Sequence, residues 1–412
     1  MVASRKRFGA FLLAAVLSAQ GCGGGGGGAA TTAAPTASGA STVAAAANVQ
    51  PIAVNAGLAS NVDLAFVSVT LCAPGSSASC QTIDNLILDT GSSGLRVFAP
   101  LVAALALPLQ KDANGNAVAE CAQFADGATW GSVRLADLKI AGERASSLPI
   151  QVIGDTDIPA APSKCAATSA LKRTAQDLRA NGILGVGMFR QDCGAVCAQG
   201  SSSGLYYTCA STACQAAAIA VDKQVQNPVA MFAADNNGVI VDLPMVPAEG
   251  AAGASGTLVF GIGTRANNAL GSATVITVNP TSGRFTTVYN GIRYSNSFID
   301  SGSNGFFFQD SGTPVCSGSS AAPFFYCPAT TRNLSATIEG TNGARVSVNF
   351  SLANANALLT NNPDFAAFSN LGAPQAVFNS FDWGLPFFFG RKVFVAFESA
   401  STPGGLGPYV AF

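Results

Sequence analysis

The 412-residue sequence contains no histidine. This absence excludes Ser-His-Asp and Cys-His catalysis in their usual forms, because both use an imidazole as the base. It also excludes a zinc site with histidine ligands. Acid–base chemistry in this chain would therefore depend on carboxylates, lysine, tyrosine or cysteine.

Charged residues are scarce as well. Asp, Glu, Lys and Arg make up 10% of the chain, the net charge is -1, and no basic run occurs beyond the extreme N-terminus. Proteins that bind nucleic acids usually carry a basic patch. We therefore expect no nucleic-acid partner.

The eleven cysteines include no C-x-x-C pair, so disulfides are favoured over a metal site. Cys72 and Cys80 bracket one short polar loop, and Cys316 and Cys327 bracket another. Four cysteines of one insertion are expected to pair among themselves, which leaves Cys121 with Cys165. These four are Cys193, Cys197, Cys209 and Cys214.

The N-terminus has the pattern of an export signal. Basic residues precede the apolar run Phe8–Ala19, which is too short to span a bilayer, and the sequence SAQGC follows. This predicts a signal peptide over residues 1–22 that ends at a lipidated Cys22, with simple secretion as the alternative. Residues 23–60 are mostly Gly, Ala, Thr and Ser, which predicts a flexible tether. We expect an exported lipoprotein at the bacterial cell envelope, on the periplasmic or outer-membrane face.

Short runs rich in Val, Ile, Phe and Thr, separated by Gly, Asn and Ser, predict a mainly β protein after the tether. Its length suggests two lobes, residues 61–235 and 236–412. Helical patterns are sparse. The clearest, over Thr168–Gly182, has a Thr start, an amphipathic body and a Gly stop.

One motif occurs twice, once in each predicted lobe. LILDTGSS places Asp89 after apolar residues, and SFIDSGSN places Asp300 in the same context. Asp310 also begins a D-S-G tripeptide, but polar Gln309 precedes it, and we interpret it as a loop residue. The apolar lead-in therefore distinguishes the pair Asp89 and Asp300.

The paired motifs resemble those of the pepsin-like aspartic proteases, here a bacterial, lipoprotein-type member with a divergent flap. Further fragments match in order from about Leu64 to Phe412. They include a hairpin like the family's flap over Phe124–Gly142, an apolar-apolar-Gly element over Asn181–Gly187, and a second such element at Phe388, Phe389 and Gly390. The resemblance implies a bilobal fold of two β-barrel-like lobes with the active-site cleft between them.

The resemblance also implies roles for the motif residues. Two carboxyl groups held together share one proton, so the charged one activates a water and the protonated one donates to the substrate carbonyl. Asp89 and Asp300 would be this catalytic pair. Thr90 and Ser301 would tie the two loops together, Ser92 and Ser303 would bond the carboxylates, and Gly91 and Gly302 would permit the tight turns.

In the flap, Phe124 stands where the family usually has tyrosine, and Arg96 stands where a tryptophan commonly supports it. Trp130 is expected to supply some of the lost aromatic contact, and Arg96 to meet Asp126 by charge complementarity. The flap and substrate-binding residues predicted in this way are Phe124, Asp126, Gly127 and Trp130.

Two functional hypotheses follow from these features. The first is an aspartic endopeptidase, monomeric and without cofactor or metal, that binds an extended peptide and is anchored to a membrane by its lipid. The second is an inactive pepsin-fold lipoprotein with a binding or envelope role. The altered flap favours the second, as does an uncharged tether where the family has a basic pro-segment.

Overall fold

The computed structural model describes residues 47–166, 170–375, 377 and 379–412, which belong to one compact unit. The signal peptide, Cys22 and residues 23–46 of the predicted tether lie outside the described residues. The described chain is mainly β, as predicted. We refer below to residues 47–235 as the N-terminal half and to residues 236–412 as the C-terminal half.

Ten strands belong to the described part of the N-terminal half. They are β1 (Val49–Val54), β2 (Ala65–Cys72), β3 (Cys80–Asp89), β4 (Ser93–Phe98), β5 (Ala117–Phe124), β6 (Gly127–Ile140), β7 (Glu143–Ile153), β8 (Gly182–Val186), β9 (Tyr206–Cys209) and β10 (Cys214–Ala216).

Fourteen strands belong to the described part of the C-terminal half. They are β11 (Gly238–Leu243), β12 (Ala254–Phe260), β13 (Val275–Thr277), β14 (Phe285–Tyr289), β15 (Ile292–Ile299), β16 (Phe306–Phe307), β17 (Arg332–Glu339), β18 (Arg345–Leu352), β19 (Gly372–Ala373), β20 (Asp382–Trp383), β21 (Arg391–Ala396), β22 (Ser401–Thr402), β23 (Gly405–Leu406) and β24 (Tyr409–Ala411).

Helices are short throughout the described residues. The α-helices are α1 (Ala99–Val102), α2 (Ser163–Ala166), α3 (Ala175–Leu178), α4 (Ala195–Gln199) and α5 (Ala355–Asn361). The 3-10 helices are Ala103–Leu105, Val221–Lys223, Pro228–Met231, Ala266–Asn268 and Leu385–Phe387.

The helix predicted over Thr168–Gly182 is mostly wrong, because among its described residues, 170–182, only α3 is helical. Thr174 caps α3, which ends where Arg179 adopts a left-handed conformation. Upstream of α3, the backbone of Ala170 and Lys172 bonds to Ala128 instead of to a helical turn. Tertiary hydrogen bonds have thus replaced the local helix.

Fifteen of the described strands form one sheet, in the order β10-β9-β5-β6-β7-β4-β8-β3-β2-β1-β12-β11-β21-β24-β13. The sheet passes from one half to the other where β1 pairs antiparallel with β12. Residues 49–54 were expected to be tether, and this part of the prediction is wrong. Their backbone groups complete a ladder with β12, and Ile52 and Val54 are buried in the core.

A second sheet of seven strands lies within the C-terminal half, in the order β18-β17-β14-β15-β20-β16-β19. Its core is aromatic. Phe381 stacks between Phe308 and Trp383, with ring centroids 4.4 and 4.3 Å away, and the Trp383 indole donates to Thr287 over 3.0 Å. This packing fixes β20, which lies directly behind the second repeat of the aspartate motif.

Candidate active site

Both aspartate motifs follow a strand that pairs in parallel with a short buried strand. In the N-terminal half β3 pairs with β8, so that Leu88 faces Leu184 and Asp89 faces Gly185. In the C-terminal half β15 pairs with β20, so that Ile299 faces Trp383. Asp89 and Asp300 therefore emerge from equivalent points of two matching strand pairs.

The two loops after these strands are tied together by reciprocal hydrogen bonds. The backbone N–H of Thr90 donates to Ser301 Oγ over 3.1 Å, and the N–H of Ser301 donates to Thr90 Oγ1 over 3.0 Å. Each hydroxyl also reaches the strand opposite, with Ser301 Oγ 2.7 Å from the Leu88 carbonyl oxygen and Thr90 Oγ1 3.4 Å from that of Ile299. The cross-loop contacts expected of Thr90 and Ser301 are thus present.

Each carboxyl group has its own pair of donors. Asp89 accepts from the N–H of Gly91 over 2.7 Å and from the Ser92 hydroxyl. Asp300 accepts from the N–H of Gly302 over 2.8 Å and from Ser303 Oγ over 2.9 Å. Ser92 and Ser303 therefore stand where the resemblance placed them.

Gly91 and Gly302 are needed because the opposite carboxyl group lies against them. A Cβ on Gly91 would lie 2.6 Å from Asp300 Cγ, and one on Gly302 would lie 2.9 Å from Asp89 Oδ1. Both distances are too short for carbon. Each loop can thus approach the other carboxyl group only without a side chain at this position.

Burial raises the pKa of Asp300 well above its usual range, and the neighbouring Asp89 and Asp382 carboxyl groups raise it further. A side-chain hydrogen bond with Asp89 acts in the same direction, while the Gly302 N–H opposes it. The Asp89 and Asp300 carboxyl groups thus lie close enough to act on each other, and burial favours the protonated form of Asp300.

Asp382 is a third carboxyl group at this site, and the sequence reasoning missed it. Ser303 Oγ lies 2.7 Å from Asp382 Oδ2, and the residue is only 4% exposed. The second apolar-apolar-Gly element was placed at Phe388, Phe389 and Gly390, which is wrong. The strand paired with β15 is β20, followed by Gly384, so an aspartate occupies an element that was expected to be apolar.

Arg96 lies in a buried ion cluster, and the expected contact with Asp126 is wrong. Its Nη2 is 2.6 Å from Glu120 Oε1 and 3.2 Å from Asp192 Oδ2, and Tyr206 donates to Asp192 over 2.7 Å. Burial works to lower the pKa of Arg96, but the two carboxylates outweigh it and raise that pKa. The signal missed was Glu120, which strand alternation along β5 places on the same face as Phe124.

Phe124 packs near this arginine, whose guanidinium carbon lies 5.7 Å from the ring centroid. The arginine thus lies over the face of the aromatic ring at the end of β5. Trp130 cannot assist, and that prediction is wrong. Trp130 pairs with Cys121 across the hairpin, so it lies on the face opposite Phe124 and packs against Tyr207.

The hairpin tip is covered by the segment that precedes α3. Asp126 pairs with Lys172 Nζ at 2.8 Å, and the backbone of Ala128 bonds to Ala170 and Lys172. A Cβ on Gly127 would lie 2.5 Å from Lys172 Cε. Asp126 and Gly127 therefore contact residues 170–172 of the chain itself.

The described residues contain five disulfides, which confirms that prediction. They are Cys72–Cys80, Cys121–Cys165, Cys193–Cys197, Cys209–Cys214 and Cys316–Cys327.

Asp310, the aspartate of the other D-S-G tripeptide, which was interpreted as a loop residue, lies apart from the carboxyl pair. It bonds to Tyr289, Thr313 and Arg332.

Among the described residues, no helix is long and apolar enough to cross a membrane.

A family model described as "Protein of unknown function (DUF3443)" matches residues 44–412. This chain belongs to the DUF3443 family. Among curated proteins, none matches this DUF3443 member. Among solved structures, it is similar to an aspartic proteinase from Irpex lacteus, with 13% identity, a TM-score of 0.48, and coverage of 88% of this chain and 96% of that chain.

Proposed function

We propose that this DUF3443 protein is an aspartic endopeptidase that hydrolyses peptide bonds with water activated by the pair Asp89 and Asp300. The observation that carries the proposal is the reciprocal tie between the loops, which brings each carboxyl group against the glycine of the other loop. Two carboxyl groups buried side by side share one proton, as general base and general acid catalysis requires.

The surroundings of Asp300 assign the two roles. Asp300 keeps the proton because burial and two neighbouring carboxyl groups raise its pKa, so it donates to the carbonyl oxygen of the substrate. Asp89, which is hydrogen-bonded by the Gly91 N–H and the Ser92 hydroxyl, is then the partner that accepts a proton from the attacking water. The pair then titrates as a unit rather than as two separate residues.

The substrate would be a peptide in an extended conformation, bound between the two halves. The test is cleavage of a peptide library by the purified domain from acidic to neutral pH. Asp89→Asn and Asp300→Asn should each abolish cleavage, and a statine-type inhibitor should block it. Asp310→Asn is a matched control, because it changes an aspartate of the same tripeptide pattern outside the pair. Cleavage that survives either substitution within the pair rules the proposal out.

A second candidate is a peptide-binding protein without turnover. The covered hairpin tip favours it, because contacts of Lys172 with Asp126 and of Ala128 with residues 170–172 hold the flap in place. Peptide binding without cleavage at any pH would support this candidate against the first.

We further propose that the domain is exported and anchored by a lipid on Cys22. The signal pattern and the SAQGC sequence support this assignment. Full-length protein should fractionate with membranes and incorporate labelled palmitate, whereas Cys22→Ser should do neither. Equal membrane association of the two proteins would contradict the anchor.

A further inference from the structure

Asp382 is a buried carboxyl group that the proposed mechanism does not use. It lies on β20 between Phe381 and Trp383, both fully buried in the aromatic core. Its Oδ2 contacts Ser303, while its Oδ1 is buried without a hydrogen-bond partner among the described residues. A buried carboxyl group is costly, so its position next to the candidate site requires a reason.

The register of the strands shows what the other half has at this position. Ile87 faces Ile183 in the N-terminal half, and the equivalent Phe298 faces Asp382 in the C-terminal half. Asp382 therefore replaces an isoleucine in an otherwise matching strand pair. The two halves of the site differ here by one carboxyl group.

The Ser303 hydroxyl has two carboxyl neighbours but only one proton to donate. Its oxygen is 2.9 Å from Asp300 Oδ2 and 2.7 Å from Asp382 Oδ2. In the N-terminal half, Ser92 donates to Asp89, and no second carboxyl group bonds to it within the described residues. Two carboxyl groups of the described chain therefore compete for the proton of Ser303, whereas Ser92 has one.

Among the described residues, three charged groups lie near Asp382, namely Arg284, Asp89 and Asp300. Burial raises the pKa of Asp382 to about 8, against the Ser303 hydrogen bond and the Arg284 guanidinium, which lower it, while Asp89 raises it. Arg284 lies next to β14 with its guanidinium carbon 3.9 Å from the Phe298 ring centroid, and its charge also acts on Asp300. Asp300 itself contacts Asp382 through Ser303.

We propose, on the basis of the proposed peptidase function, that Asp382 is a positioning residue that draws the Ser303 hydroxyl away from Asp300 and thereby keeps the shared proton on Asp300. When Asp382 ionises, which its raised pKa places near pH 8, it accepts from Ser303, and Asp300 loses a donor that would stabilise its charged form. The negative charge of Asp382 also repels a negative charge on Asp300. Both effects have the same sign and raise the pH at which Asp300 loses its proton.

The test compares wild-type protein with Asp382→Asn, which keeps the shape of the side chain, and with Asp382→Ile, which reproduces Ile183 of the other half. Carbon-13 labelling of aspartate carboxyl groups, with the Asp300 signal assigned through Asp300→Asn, follows the titration without turnover. In both variants Asp300 should titrate about one pH unit or more below wild type. The alkaline limb of kcat should move in the same direction, with little change in KM.

Asp310→Asn is the matched control, because it removes another buried carboxyl group of the same half without contact to Ser303. It should leave the titration of Asp300 unchanged. An unchanged Asp300 titration in a folded Asp382 variant, or an equal shift in the Asp310 control, overturns the inference. Absence of peptidase activity in the wild type would overturn the proposed function instead, and the carboxyl titration would still decide the role of Asp382.

Discussion

The two halves of the candidate site have the same strand register, but they place their buried charges differently. In the N-terminal half, Arg96 of β4 pairs with Ile183 of the short buried strand β8. In the C-terminal half, Phe307 of β16 pairs with Asp382 of the short buried strand β20. Arg96 is neutralised by Glu120 and Asp192, away from the carboxyl pair. Asp382 instead contacts the pair through Ser303. The same strand register thus holds a structural ion cluster in the N-terminal half and, in the C-terminal half, a third carboxyl group that contacts the candidate site.

The largest expected effect concerns the ion cluster. Arg96→Met should lower the free energy of unfolding by about 3–5 kcal/mol, because it leaves two buried carboxylates without their partner. Arg332→Met, which breaks the more exposed pair with Asp310 in the C-terminal half, should cost about 1–2 kcal/mol. Urea unfolding measures both. Equal losses would show that the cluster has no special role in the N-terminal half.

The glycines test whether the two loops are equivalent. Gly91→Ala and Gly302→Ala should each reduce kcat of the proposed peptidase by about 100-fold, since the added carbon displaces a carboxyl group by a large part of an ångström. Gly200→Ala and Gly318→Ala are controls, one in each half, where no atom lies within 4 Å of the added carbon. Full activity in either loop variant would contradict the close approach of the loops.

The disulfides allow a comparison by loop length. Replacing Cys121 and Cys165 with alanine opens a loop of 44 residues, and the same change at Cys316 and Cys327 opens one of 11. The chain-entropy model predicts that the longer loop costs about 1 kcal/mol more. Thermal unfolding of the two double variants checks this. A larger loss for the short loop would indicate that local strain or packing outweighs chain entropy.

A further expected effect is a pH dependence of stability in the C-terminal half. The folded state raises the pKa of Asp382 to about 8, compared with about 3.9 for an unfolded aspartate. Its stabilising contribution is therefore complete below about pH 4 and is lost as the pH rises toward 8. Asp382→Asn should flatten the decline in unfolding free energy over this range, measured by urea unfolding at several pH values. An unchanged pH profile in this variant would contradict the raised pKa.

The sequence predicted the mainly β class and the aspartate pair, because both depend on local patterns. Alternating apolar residues specify strands, and the apolar lead-in distinguishes Asp300 from Asp310. The same local reasoning failed where distant segments decide the conformation. The predicted helix after Thr168 gave way to backbone bonds with Ala128, and residues 49–54 joined a sheet through a partner about two hundred residues away.

The absence of histidine, the repeated aspartate motif and the cysteine pairs were determined by the sequence alone, since they depend on residue type and spacing. The tertiary structure decided which strand lies behind Asp300 and hence that Asp382 reaches Ser303. It also decided that Arg96 meets Glu120 rather than Asp126. Ion pairs and hydrogen bonds act over a few ångströms, so their partners are set by strand register and packing, which one-dimensional spacing does not specify.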